Sequence, residues 1–208
     1  MSLPPLATTA DLEAYLGRTL PGAQAEVAIR RASARVRAYT RQTLSFVADD
    51  TIDMPGGDRV LNVPQRPLVV DQTHPLTVVE LGDFGAPDLP MVEGSDYLRI
   101  GNQLTRGHPF YVRTRVTGWP WSRVLGVWAP RVRLTYSHGY QVIPDDIVDV
   151  VLELASVNVT NVDGLRSESI DDYSRTFATE TVGGASMTRD HKDALRTYRT
   201  GAFSVMQA

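Results

Sequence analysis

The spacing of apolar residues along the chain changes twice, and each change marks a change of element. Between residues 23 and 43, Ala28, Ile29, Ala32, Val36 and Tyr39 recur every three or four positions within one arc of roughly 100°, which predicts a long amphipathic helix. A short helix over residues 10–16 precedes it, with Thr9 as its N-cap, Asp11 and Glu13 in its first turn and Gly17 at its end. From residue 44 to about 139 the texture becomes short runs of Val, Leu, Tyr and Thr punctuated by Gly, Pro and Asp, the signature of strands. Tyr97 to Ile100, then Gly101-Asn102, then Gln103 to Arg106 reads as a tight hairpin. Residues 131–136 alternate, with Val132, Leu134 and Tyr136 on one face, and residues 111–116 alternate likewise.

Helical spacing returns after Pro144 in Ile147, Val150, Val151, Leu154 and Val157, with Asp145 and Asp146 where the helix dipole favours negative charge. A last helix over residues 189–200, capped by Thr188, puts Ala194, Leu195 and Tyr198 on one side and Arg189, Lys192, Arg196 and Arg199 on the other. The pattern predicts an α+β fold: a helical bundle of N-terminal and C-terminal helices with an inserted antiparallel β module. The expected divisions are residues 1–43, 44–139 and 140–208, with a loop or strand at 164–177 in the last.

Composition narrows the chemistry. The 208 residues include no cysteine, which excludes a disulfide scaffold, a thiolate metal site and a cysteine nucleophile. No apolar run approaches 18 residues, and the first residues lack the basic start and apolar stretch of a secretory signal, so a chain made in the cytoplasm is expected, with no membrane partner. The net charge of −3 is a cancellation. Residues 1–43 carry +3, 44–139 carry −1, 140–185 carry −7 and 186–208 carry +2. Basic ends around an acidic block suit head-to-tail pairing between copies, which makes rings or filaments. Of 21 basic residues all but Lys192 are Arg, a bias that fits a GC-rich genome as well as fixed ion pairs.

A search for catalytic residues finds little. His74, His108, His138 and His191 show no metal-ligand spacing, and no nucleophile elbow or phosphate-cradling loop is present. Asp145-Asp146 is explained by its helix terminus, and Asp171-Asp172 lies in a polar stretch without a histidine. His191 reads as packed or capping. Trp119, Trp121 and Trp128 read as core or loop anchors before a binding surface. No enzyme and no cofactor are expected. The dense arginines of residues 24–43 (Arg30, Arg31, Arg35, Arg37 and Arg41) leave open a nucleic-acid-binding module.

The C-terminal third carries a resemblance. Val132-Arg133-Leu134-Thr135-Tyr136-Ser137-His138-Gly139-Tyr140 is followed by Ile143-Pro144-Asp145-Asp146-Ile147. An apolar helix then leads to Gly164-Leu165-Arg166-Ser167-Glu168-Ser169-Ile170-Asp171-Asp172-Tyr173-Ser174, and Ala194-Leu195-Arg196-Thr197-Tyr198-Arg199 lies beyond. This resembles the head-to-tail connector (adaptor, or head completion) proteins of long-tailed bacteriophages, especially those of actinobacterial hosts. The short helix and Arg-rich long helix at the start also fit that family's opening. The Ser-Glu-Ser-Ile-x-Asp-Tyr-Ser stretch is the most specific part, with Asp171 where a glycine is expected.

The resemblance implies a structural protein of the virion neck, assembled in the host cytoplasm. It implies a dodecameric ring of copies below the portal protein, extending the DNA exit channel and receiving the next neck or tail protein, with DNA passing without sequence-specific binding. It implies portal or subunit contacts from Arg189, Lys192, Arg196, Arg199, Phe203 and Val205. Arg166, Ser167, Glu168, Ser169, Ile170, Asp171, Asp172 and Tyr173 would lie near the channel or a neighbouring subunit, and Arg30, Arg37 and Arg41 are further candidate subunit contacts. A stopper or tail-completion protein of the same neck is the alternative within that setting.

Overall fold

Local capping chemistry sets where the helices begin. Thr8 Oγ1 accepts from the Asp11 N–H at 3.2 Å while the Asp11 carboxylate accepts from the Thr8 N–H at 2.9 Å, a reciprocal capping box that opens α1 (Thr9–Leu16). The cap is therefore Thr8 and not Thr9, because the acid lies three residues beyond Thr8. Gly17, at φ +63°, closes α1 in the left-handed region that glycine adopts without steric cost. α2 (Gly22–Thr40) ends at Arg41, also left-handed, and α3 (Asp145–Thr160) begins with Asp145 and Asp146. In the computed structural model the residues described are 3–82, 85–107, 126–160, 167–170 and 173–176 (both as backbone), and 187–200.

The chain divides into two compact units, one of residues 1–45 with 140–208, the other of residues 46–139. In the first, Ala25, Ala28, Ile29, Ala32 and Val36 of α2 share a core with Leu12 of α1 and Ile147, Val151, Leu154 and Ala155 of α3. The alanines at this contact leave room for the two long helices to approach closely. Chain crossing at residues 44–45 and 140 is fixed by the Tyr140 N–H, which donates to the Leu44 carbonyl at 2.8 Å. α4 (Arg189–Ala194) is capped by Thr188 and passes into a 3-10 turn at Leu195–Tyr198. The helix expected over residues 189–200 thus stops early. Leu195 is fully buried, Arg199 is extended, and the Thr200 N–H donates to the Thr40 carbonyl at 3.0 Å; these tertiary contacts replace the helix's own hydrogen bonds.

The second unit is built from β1 (Val47–Pro55), β2 (Val60–Asn62), β3 (Leu68–Val69), β4 (Thr77–Glu80), β5 (Leu89–Met91), β6 (Tyr97–Ile100), β7 (Gln103–Arg106) and β8 (Arg131–His138). β8 is the spine of a five-stranded antiparallel sheet, paired with β1 on one side and with β4 and β3 on the other, with β5 outside β4. β2, β7 and β6 form a three-stranded antiparallel sheet, and β6–β7 is the hairpin expected, with Gly101 at φ +59° in its turn. Ile52, Met54, Val78, Val132, Leu134 and Tyr136 meet Leu61, Tyr97, Leu104 and Trp128 in one core. Trp128 is 1% exposed, its Nε1 donates to the Leu104 carbonyl at 3.2 Å, and its ring lies 5.7 Å from that of Tyr97. Trp119, Trp121 and the expected strand at 111–116 lie outside the described residues.

One buried ion pair ties the two sheets. Arg106 Nε on β7 donates to Glu80 Oε1 on β4 at 3.0 Å, Glu80 also accepts from the Ala129 N–H at 3.2 Å, and the guanidinium carbon sits 5.7 Å from the centre of the Trp128 ring. Gly56 follows β1 where its N–H donates to the Pro130 carbonyl at 2.8 Å, and an added Cβ there would stand 1.9 Å from the Ala129 carbonyl oxygen.

A two-stranded antiparallel ribbon, β9 (Ser167–Ile170) with β10 (Tyr173–Thr176), completes the described strands. The expected helical bundle with an inserted β module is overturned. The protein is mixed α/β and strand-rich, with four α-helices and antiparallel sheets among the described residues. The physical reason lies in how apolar surface is used. The stripes of α2 and α3 are satisfied largely by each other and by α1, the described residues beyond them hold the six-residue α4 and a 3-10 turn where one longer helix over 189–200 was expected, and the strands of residues 46–139 build sheets with a core of their own.

Candidate functional site

The residues singled out in the sequence meet in the helical unit, where the 187–200 segment lies along α2 and α3. Its start is fastened by His191. Nδ1 of this ring accepts from the Thr188 N–H at 3.3 Å, so the proton resides on Nε2, which donates to the Glu153 carboxylate of α3 at 2.5 Å. Thr188 Oγ1 in turn accepts from the His191 N–H at 3.2 Å. Further along, the Tyr39 hydroxyl of α2 donates to the Lys192 carbonyl at 3.1 Å and the Tyr198 hydroxyl donates to Asp146 Oδ2 at 3.2 Å. Arg199 places its guanidinium carbon 5.3 Å from the centre of the Tyr39 ring. Leu195 is the apolar anchor, and full burial of such a side chain contributes about 2 kcal/mol.

This arrangement brings the end of α2 and the C-terminal arginines together. Arg41 and Arg199 flank the residues of a single backbone hydrogen bond, Thr200 N–H to Thr40 C=O. Cations near a helix C-terminus are favoured by the exposed carbonyls there. Arg189, Lys192, Arg196 and Arg199 are all exposed, and Arg189 makes a loose pair with Asp193 at 3.9 Å. Arg30, Arg31 and Arg41 are exposed, whereas Arg35 and Arg37 are half-buried. Arg37 is engaged within the fold. Its Nε donates to the Thr43 carbonyl at 2.8 Å, and its Nη2 to Ser45 Oγ at 3.2 Å and to the Pro4 carbonyl. Burial pushes its pKa below the usual guanidinium value.

The remaining candidates are placed only in part. Ser167, Glu168, Ser169 and Ile170 form β9, and Tyr173 opens β10, paired in register with Ile170. Arg166, Asp171, Asp172, Phe203 and Val205 lie outside the described residues. The sequence did not single out Tyr39, Glu153 or Tyr198 as partners of the C-terminal segment. The Thr188-x-x-His191 spacing was the available signal, weak because Glu or Gln is the usual third residue of a capping box.

Chemistry elsewhere is structural. His138 is buried, with Nε2 at 3.1 Å from Asp50 Oδ2, and burial pulls its pKa below the usual imidazole value. Asp71 accepts from the Thr73 and His74 N–H groups, an Asx turn that holds an exposed loop. Among the described residues no group of three or more His, Asp or Glu is placed to hold a metal ion, and no helix is long and apolar enough to cross a membrane. The class these observations define is a two-unit mixed α/β chain with an arginine-bearing C-terminal segment fastened along its two long helices. No protein-family model matches the chain, and no match to it is found among curated proteins.

Proposed function

We propose that the protein is a structural head-to-tail adaptor of a long-tailed bacteriophage: copies form a ring between the portal protein and the next neck or tail protein, and the genome passes through the ring. The observation that carries this reading is the 187–200 segment. It presents Arg189, Lys192, Arg196 and Arg199 exposed beside the Arg41 end of α2, on a strap held by one buried leucine and a few polar contacts. The resemblance of residues 132–147, 164–174 and 194–199 to such adaptors supports the same reading.

The work is mechanical and assigns no catalytic step. The exposed arginines of the strap meet acidic groups of the portal, where planar guanidinium forks pair bidentately with carboxylates.

Mixing the protein with the portal protein of the same phage and imaging the mixture by electron microscopy tests the reading. A ring seated on the portal is expected, and Arg196→Glu with Arg199→Glu weakens that seating with unchanged circular dichroism. Portal particles that stay bare, or that carry the double variant as fully as the parent chain, sink it.

A further inference from the structure

The 187–200 strap is fastened lightly for its length. Within it only Leu195 and Thr200 are buried, and Met187 and Tyr198 rest half-buried against the helical core. Its described polar contacts join His191 to Glu153, Tyr198 to Asp146, Tyr39 to the Lys192 carbonyl and Thr200 to the Thr40 carbonyl, and the first three are exposed. Among the described residues, none of Arg189, Lys192, Arg196 and Arg199 pairs with a carboxylate of α2 or α3. The helices do not need the strap for their own core, since Leu12, Ile29, Val36, Ile147, Val151 and Leu154 remain packed together without it. A segment with few buried apolar contacts and exposed hydrogen bonds opens by itself, below the free energy of global unfolding.

The chain that leads to the strap is far longer than its own copy requires. His191 meets Glu153, seven residues before the end of α3 at Thr160, which is about 10 Å along the helix axis. Residues 161–166 and 177–186 flank the β9–β10 ribbon, whose ends Ser167 and Thr176 pair in register. At about 3.3 Å per residue these two stretches together reach up to about 50 Å. On any copy, α2 and α3 offer the same partners: Tyr39, the Thr40 carbonyl, Asp146 and Glu153, with the Tyr140 ring beside them to meet Tyr198 edge-on at 6.1 Å. We infer that the strap is exchangeable: it leaves its own α2–α3 groove and fastens in the groove of another copy, where it makes the same contacts between molecules. In the free chain the tether holds the strap at home with an effective concentration on the order of millimolar. Copies gathered to that density compete for it. The exchange stands apart from the ring reading, and its use in linking neighbours of a ring rests on that reading.

Disulfide trapping reads the exchange without background, because the chain has no cysteine. The Thr200 N–H bond to the Thr40 carbonyl, at 3.0 Å, holds these residues within the roughly 4.4–6.8 Å between Cα atoms that a disulfide bridges. Thr200 Oγ1 has no partner to lose. Thr40→Cys chains are mixed with Thr200→Cys chains at about 10 μM and about 1 mM, oxidised briefly and mapped by mass spectrometry, with the double variant in one chain as control. Links between a Thr40→Cys chain and a Thr200→Cys chain are expected to be at least about tenfold more abundant at the higher concentration, and to exceed links between like chains. Hydrogen exchange of the parent chain supplies a second measurement. The Lys192, Arg199 and Thr200 amides, each hydrogen-bonded, exchange at least about 100-fold faster than those of Val151 and Leu154.

Strap amides as well protected as those of α3 overturn the inference. So does a mixture at 1 mM without unlike links while the double variant closes within one chain, and so do like and unlike links in equal amounts, which mark mere collision. Rings seated on the portal without unlike links overturn the exchange and leave the adaptor reading standing. Unlike links in solution beside bare portal particles support the exchange and sink the adaptor reading.

Discussion

Replacing Arg106 with alanine isolates what the ion pair between the two β-sheets contributes. The substitution leaves the Glu80 carboxylate, 10% exposed at its side chain, with the Ala129 N–H as its described donor. Removing one partner of a buried pair costs about 3–5 kcal/mol. Arg106 retains 22% exposure, so water screens part of that, and a loss of about 2–3 kcal/mol is expected for this pair. The lost donation to the Asp96 carbonyl and the lost face of Trp128 fall within the same figure. The unit spans residues 46–139, a size at which each kcal/mol moves the melting temperature by about 4–8 °C, so Arg106→Ala lowers it by about 10–20 °C.

Tryptophan fluorescence reads this unit alone, because Trp119, Trp121 and Trp128 all belong to it. Glu80→Gln keeps an acceptor for both donors and costs about 1 kcal/mol. The double variant Glu80→Gln with Arg106→Ala costs less than the two singles together, because the uncompensated charge is gone. A shift below about 2 °C for Arg106→Ala would refute the reasoning, and strictly additive losses would show that the two side chains do not sense each other.

Stability should also depend on pH through His138. Burial depresses its folded pKa, so the unfolded chain binds the proton more readily. Stability is full above the unfolded value of about 6.5 and falls as the pH drops through the folded value. His138→Gln flattens thermal melts between about pH 7 and pH 5, and an equal slope in both proteins would remove His138 as the cause. Two glycines give opposite outcomes in urea titrations. Gly56→Ala forces a Cβ to 1.9 Å from the Ala129 oxygen and costs several kcal/mol or prevents folding of that unit. Gly22→Ala at the start of α2 meets open space and stabilises by about 0.5–1 kcal/mol. Equal midpoints for the two variants would contradict both.

What could be read from the sequence was what local chemistry determines. α2, α3, the β6–β7 hairpin and β8 announce themselves because periodicity, a turn residue or a helix-start acid lies within a few positions. The length of the C-terminal helix could not be read that way. It ends early because Leu195, Tyr198 and Thr200 find partners about 50 and 160 residues earlier in the chain, on α3 and α2. The helical-bundle expectation failed for the same reason. An apolar stripe shows that a helix buries a face but not what covers it, and here α2 and α3 largely cover each other.

The candidate site was legible as a set of arginines, not as an arrangement. Sequence could not separate Arg37, whose guanidinium bonds Thr43, Ser45 and Pro4, from Arg30 and Arg41, which face solvent. Nor could it bring Arg41 beside Arg199, since the hydrogen bond between Thr40 and Thr200 joins distant parts of the chain.

The scarcity of lysine gives the strap a built-in address. Lys192 is exposed on α4, and its carbonyl is held by Tyr39. The other basic side chains are guanidiniums, which amine-directed acylating reagents pass over, so apart from the α-amino group such a reagent marks Lys192. A fluorophore attached there, without any substitution, would report when the strap stays on α2 and when it leaves.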